Sequence, residues 1–286
     1  CIRDRWNGNS AAPFDDYIIR EGEAVGQMYG YITGGMYTFD DFDYIGTGTY
    51  PYRLKGDTDG SKTEAAASLI GAKYFGPGSL KLVDKDGNIA TSTDAKTVIG
   101  NANPDLIGGF NLTARYKGFD LSAFFNFSIG NDVYNANKID NSCYSGSRKY
   151  NNLVEEMKNR FTYIDRATGY LAYNDPVRLA EINKNATIWS PYMTTAVLHS
   201  WAVEDGSFLR FNNLTLGYTF PKRWVKKLGL TNLRIYGTVY NVCVITGYSG
   251  FDPEVSTRNS TAMTPGVDYS AYPKSRSFIG GVNVSF

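Results

Sequence analysis

Leu106-Ile-Gly-Gly-Phe110-Asn-Leu-Thr-Ala-Arg-Tyr116-Lys-Gly-Phe119-Asp-Leu-Ser-Ala-Phe-Phe-Asn-Phe-Ser-Ile129 decides the fold class. Leu106, Phe110, Leu112, Ala114 and Tyr116 alternate with Asn111, Thr113 and Arg115. Beyond Lys117-Gly118, the residues Phe119, Leu121, Ala123, Phe125, Phe127 and Ile129 alternate with Asp120, Ser122, Asn126 and Ser128, and only Phe124 breaks the polar face. Six apolar residues at strict period two make one apolar face on an extended strand, a spacing that no helix produces. Asp105 to Gly130 is therefore expected to form a hairpin closed by a tight Lys117-Gly118 turn. Each arm can cross a hydrocarbon layer at a tilt, which takes about 9–11 residues.

The pattern recurs downstream. Leu214, Leu216, Tyr218 and Phe220 alternate with Asn213, Thr215, Gly217 and Thr219, while Leu209 and Phe211 have the opposite phase, so a bulge is expected near Asn212. Leu233, Ile235, Gly237 and Val239 alternate with Arg234, Tyr236, Thr238 and Tyr240. In Ser277–Phe286, Phe278, Val282, Val284 and Phe286 share a face with Gly280, and Ser277, Asn283 and Ser285 share the other with Ile279 and Gly281. A closing strand of this kind, ending on an aromatic, suits an outer-membrane barrel, with Phe286 as its assembly signal. A weaker strand is expected in Tyr17–Thr33, interrupted by Gly22, Gly26 and Gly30.

Connections alternate between short (Lys117-Gly118; Pro221 to Thr231) and long (131–203; 247–275). Transmembrane barrels show this asymmetry, with short periplasmic turns and longer extracellular loops. Counting back from a periplasmic C-terminus puts every long connection outside the cell. The expected fold is all-β: a transmembrane antiparallel β-barrel whose strands occupy 105–286, preceded by an extracellular loop region, 1–104, with at most one or two strands. The basic turn from Pro221 is expected to form a short helix with Trp224, Val225 and Leu228 on one side.

Composition agrees with this class. Among 286 residues there are 22 Tyr and 30 Gly, and mean hydropathy is −0.32, which suits strands and wet loops. No apolar run reaches the length of a helical span. A formal net charge of +1 without a basic stripe argues against nucleic acid. Cys1, Cys143 and Cys243 have no metal-ligand spacing. Cys243 is expected to pack as a small apolar side chain, and Cys1 to mark where a processed or partial polypeptide begins.

No enzyme is expected. His199 is the sole histidine, no Gly-x-Ser-x-Gly accompanies it, and it is read as a loop residue. Carboxylate pairs such as Asp40/Asp41 and Glu155/Glu156 are read as solvated loop charges. Asp84, Asp86 and Asn88 around Gly87 are weak calcium candidates. Both end positions of an EF-hand loop, Leu82 and Thr93, lack ligands, and Asp-Gly turn chemistry explains the segment equally.

Val203-Glu-Asp-Gly-Ser-Phe-Leu-Arg-Phe-Asn-Asn-Leu-Thr-Leu-Gly-Tyr-Thr-Phe-Pro221 resembles the entry into the last strands of SusC/RagA-like TonB-dependent transporters. Asn232–Asn241, Gly247–Glu254, Pro265–Tyr269 and Tyr272–Arg276 continue the similarity, and Val98–Asp105 with Gly108–Asn111 resembles an earlier family segment. The resemblance implies the C-terminal part of a 22-stranded outer-membrane barrel, with no plug domain or TonB box in this chain. It also implies energy coupling through TonB and a SusD-like surface lipoprotein as lid. The expected function is uptake of oligosaccharides, or alternatively oligopeptides. A passive porin or adhesin barrel and a soluble glycan-binding β-sandwich are the rivals.

Saccharides are held by aromatic faces flanked by carboxylates, amides and guanidinium groups. Tyr248, Phe251, Asp252, Glu254, Asp268, Tyr269, Tyr272 and Arg276 from the last long loop supply such a set. Trp189 and Tyr192, with Tyr134, Tyr144 and Tyr150, supply more from the other. They are candidates for contact with ligand or lid, against the alternative that they shape the loops.

Overall fold

A computed structural model describes residues 4–6, 16–144, 152–257 and 263–286; Cys1 and Tyr150 lie outside the described residues. The chain folds as two compact units built from interleaved stretches. One comprises Asn103–Val133, Asp205–Val255 and Ser270–Phe286; the other draws on Cys1–Ala102, Tyr134–Glu204 and Ser256–Tyr269. The division is therefore not the sequential one expected at residue 104, because most of the first long connection and about half of the second join the unit begun by the N-terminal stretch.

The first unit is a wall of five antiparallel strands: Leu106–Tyr116, Phe119–Ile129, Phe208–Thr219, Asn232–Thr246 and Ser277–Ser285, neighbours in that order. They are 11, 11, 12, 15 and 9 residues long, so the period-two pattern has room to act. Register carries the alternation across the whole sheet. Leu112, Ala123, Leu214, Val239 and Phe278 lie opposite one another, strand to strand, and so do Tyr116, Phe119, Tyr218, Ile235 and Val282. The intervening row is Thr113, Ser122, Thr215, Thr238 and Ile279. Because opposed residues share a face, one side is apolar on all five strands.

That apolar side is open: Leu112 is 57% exposed, Phe278 74% and Val282 61%. A sandwich would bury these rows against a second sheet. Cys243 also lies exposed on the fourth strand, opposite Phe211, rather than packed in a core. Rings of Phe110, Phe125 and Phe211 stack across three strands at 4.8 and 4.4 Å.

The expected bulge is present. Phe124 faces Asn213 and Phe125 faces Phe211, leaving Asn212 as the extra residue. A second irregularity follows where the third strand meets the fourth, at Asn241 with φ 52°. Lys117 and Gly118 have φ 45° and 90°, the two positive angles of a type I′ hairpin turn. A Cβ at Gly118 would sit 2.6 Å from the Thr219 carbonyl oxygen. The basic turn does form helix, over Lys222–Val225 and Lys226–Leu228. However, Val225 is buried while Trp224 and Leu228 are exposed, so the three do not share one environment as a single apolar side would.

The second unit corrects the expectation for 1–104. Among the described residues, eight strands of three to five residues lie between Asp4 and Asn101, with a ten-residue helix at Ser61–Ile70. Tyr17–Thr33 contributes to three of these short strands rather than one spanning strand, leaving five long strands instead of about six. Such strands are too short for alternation to register. They are fixed by long-range packing around Tyr31, Phe42, Tyr52, Phe75, Tyr163 and Leu198. Many tyrosines are interior. Tyr163 donates its hydroxyl to Pro77 O (2.9 Å), Tyr173 to Phe75 O (2.7 Å) and Tyr17 to Pro265 O (2.6 Å), satisfying groups whose burial would otherwise be costly. The helix begins where Asp57 accepts from Thr63 N (2.9 Å) and Thr63 Oγ1 (2.6 Å). Desolvation opposes ionisation there, but these hydrogen bonds outweigh it and bring the carboxyl down to about 2.

Candidate functional site

On the polar side of the wall the side chains form strand-to-strand links. Ser122 Oγ donates to Asn111 Oδ1 (3.2 Å), Thr215 and Thr238 hydroxyls meet at 2.9 Å, and Asn212 Nδ2 donates to Asn126 Oδ1 across the bulge. Arg234 donates to both Asp120 oxygens, from Nε at 3.0 Å and Nη2 at 2.5 Å. This bidentate pair spans the intervening strand at Gly217, where a Cβ would come within 2.6 Å of the carboxylate. The Arg234 guanidinium also lies 4.9 Å from the Tyr236 ring centroid. Sequence reading missed this pair, although the two charges fall on one face, Arg234 lying two residues along from Tyr236, which Gly217 sets in register with Asp120.

Where the fourth strand ends, a buried arginine fastens the long return connection. Arg210 Nη2 meets Asp252 Oδ1 at 2.5 Å and Nε meets Glu254 Oε2 at 3.3 Å, with both Arg210 and Asp252 side chains nearly inaccessible. Glu254 also holds Lys274 at 2.5 Å, tying the two legs of the connection together. Arg276 donates to the carbonyls of Asn241 (3.3 Å) and Val242 (2.6 Å), and Asn241 Nδ2 to Ser275 O (2.7 Å). Asp252, Glu254 and Arg276 are thus fasteners, and Tyr248 is buried. Phe251 and Tyr272, 79% and 91% exposed, are the members of the predicted set left with open ring faces.

The remaining predicted residues belong to the second unit and serve its packing. Asp268 is buried in a short parallel pairing opposite Asn135. Tyr269 OH donates to Asp140 Oδ2 (3.4 Å). Trp189 is buried edge-on against His199 and Trp201, with centroids at 5.6 and 5.0 Å. Tyr192 meets the rings of Tyr74 and Tyr144, and Tyr134 is buried. The predicted contact residues are therefore divided between the two units.

His199 does lie outside the helices and strands of the unit, in an isolated bridge with Tyr31, but it is not solvated. It is buried, its Nδ1 lies 2.7 Å from Thr33 Oγ1, and burial together with the nearby Lys138 charge lowers its pKa to about 3. At Asp84 the carboxylate closes its own turn, accepting from Asp86 N (2.9 Å), Asn88 N (2.8 Å) and Asn88 Nδ2 (3.1 Å). Its pKa is lowered, first by the Asn88 side chain. Among the described residues no group of three or more His, Cys, Asp or Glu is arranged to hold a metal ion.

Two cavities in this unit share Lys158 and Arg160: one of about 640 Å³ reaching Asp140 and Tyr144, and one of about 380 Å³ reaching Arg166 and Asn185.

No family model matches the chain. It is 32% identical to the TonB-dependent receptor P3 of Formosa agariphila over 273 residues, 94% of this chain and 23% of that protein. It is 28% identical to the TonB-dependent receptor SusC of Bacteroides thetaiotaomicron over 211 residues, 71% of this chain and 17% of SusC. The chain belongs with the SusC/RagA-like TonB-dependent receptors, as a C-terminal portion. It spans about a quarter or less of the length of these relatives. The fold of the RagAB peptide importer in its open-open state superposes on this SusC-like chain with a TM-score of 0.63 at 21% identity, covering 96% of this chain and 24% of that one. The five strands are accordingly a segment of a TonB-dependent receptor barrel wall, and the exposed Leu, Phe and Val rows are its outer, membrane-facing side.

Proposed function

We propose that this SusC-like chain forms part of the barrel wall and outer vestibule of a TonB-dependent importer that takes up oligosaccharides together with a SusD-like lipoprotein. The observation that carries the reading is the one-sided plan of the wall. The start of the first, third and fifth strands and the end of the second and fourth lie at one edge of the sheet, and every long connection leaves there. In a barrel with a periplasmic C-terminus that edge is the extracellular one. The Arg210-fastened connection then presents Phe251 and Tyr272 as flat apolar faces for the lid or for sugar rings. No bond is made or broken by this portion; the plug and the TonB contact belong to the rest of the receptor. Oligopeptide uptake is the second reading, supported by the fold shared with RagAB, which is named a peptide importer.

The test is uptake by cells carrying the intact receptor. Oligosaccharide accumulation should stop when TonB is removed, and the double variant Phe251→Ala/Tyr272→Ala should recover less lipoprotein on purification of the receptor. Uptake that persists without TonB would favour a passive porin, and unchanged lipoprotein recovery would remove the two rings from the lid contact.

A further inference from the structure

We propose that the cavity of about 380 Å³ bordered by Lys158, Arg160 and Arg166 binds the oxyanion of an acidic saccharide, a carboxylate or a sulfate. Among the described residues no carboxylate forms an ion pair with any of these three cations. Among the described residues the one acid in the lining, Asp165, is already engaged: it pairs with Arg178 and accepts from Ala167 N at 2.9 Å. Arg178 also takes Glu181 at 2.6 Å, so these two acids are paired with Arg178 rather than with the cavity cations.

Arg160, which borders both cavities, is held in place. Arg160 is half-buried, its backbone pairs with Ile188, and its Nη1 donates to Met157 O at 3.1 Å. Arg166 rides on a turn closed by Asp165 N to Tyr170 O (2.8 Å) and Gly169 N to Asp165 O (2.8 Å). The Asp165–Arg178 pair thereby anchors the turn that carries Arg166. Arg160 feels both burial and the charge of Arg166, each disfavouring its cationic form, and a bound anion would relieve that repulsion. Guanidinium groups are suited to carboxylate and sulfate because their planar fork donates two parallel hydrogen bonds. The amides of Asn159 and Asn185 beside them both donate and accept, as ring hydroxyls require.

That such a saccharide is transported cargo rests on the function proposed above; the binding does not. The experiment titrates the intact receptor in detergent with tetragalacturonate, its fully methyl-esterified form, a sulfated tetrasaccharide and tetraglutamate. The acid should bind about ten-fold or more tighter than its ester, and the advantage should shrink with salt. Arg166→Gln and Lys158→Gln, both at exposed positions, should each weaken binding of the acid about five-fold while leaving the ester unchanged. A sulfated probe that outcompetes the uronate assigns the oxyanion as sulfate. Equal affinity for acid and ester together with no sulfated-probe binding, unchanged affinity in both variants, or preference for tetraglutamate would each overturn the proposal. Binding of the acid by the purified receptor, with no TonB-dependent uptake of it by cells carrying that receptor, would instead count against the import reading alone.

Discussion

Phe125 and Ser122 are three residues apart and face opposite solvents, which makes the wall testable one side chain at a time. Phe125 stacks between Phe110 and Phe211 on the apolar side, whereas Ser122 bonds Asn111 on the polar side. Phe125→Arg should cost the barrel about 2–4 kcal/mol, the penalty for an arginine at mid-membrane, and Ser122→Arg little. Urea unfolding of the receptor in bilayers measures both, and equal losses would reverse the facing. His199 makes a different prediction. Its pKa of about 3 in the fold against about 6.5 when unfolded means that protons prefer the unfolded chain. Its contribution to stability is complete above pH 6.5 and declines as pH falls from 6.5 toward 3, by up to about 1.4 kcal/mol per pH unit. Fluorescence of Trp189 and Trp201, whose rings flank it, should report earlier melting at pH 5 than at pH 7. In His199→Gln that difference should shrink; an identical pH dependence would assign it to other groups.

Elements are joined here by side chains as much as by ladders. The bulge at Asn212 changes the phase of the third strand, so that Phe211 and Leu209 return to the apolar side occupied by Leu214 and Leu216. Sequence showed it as a phase change. It showed nothing of Arg210, which on periodicity alone is another polar-face residue, yet proves to be the buried fastener of the connection after the fourth strand. Arg210→Ala leaves Asp252 buried without its partner, a loss of about 3–5 kcal/mol. Chymotrypsin should then cleave faster near Phe251 and Tyr248. Replacing both partners, Arg210→Met with Asp252→Leu, should restore much of the resistance, because an apolar pair avoids the stranded charge. Equal cleavage of wild type and Arg210→Ala would mean that other contacts hold the connection.

At the scale of the molecule, the first and fifth wall strands each pair on one side only among the described residues, and lipid cannot satisfy an open edge. Phe286, 89% exposed at the end of the fifth strand, is the terminal aromatic of that edge. Its deletion should lower the amount of receptor reaching the outer membrane, read by surface labelling, and normal levels would remove it as an assembly signal. The five long strands, their turn, their bulge and their open apolar face were all determined by sequence alone, because period-two alternation is local and survives over nine or more residues. Tertiary structure alone decided that 134–204 and 256–269 join the N-terminal stretch in a compact unit and that Asp252, Asp268 and Trp189 are buried rather than offered to ligand. It alone also brought Lys158, Arg160 and Arg166 around one cavity. Those outcomes depend on contacts between residues far apart in the chain, where short strands and single side chains leave no periodic trace.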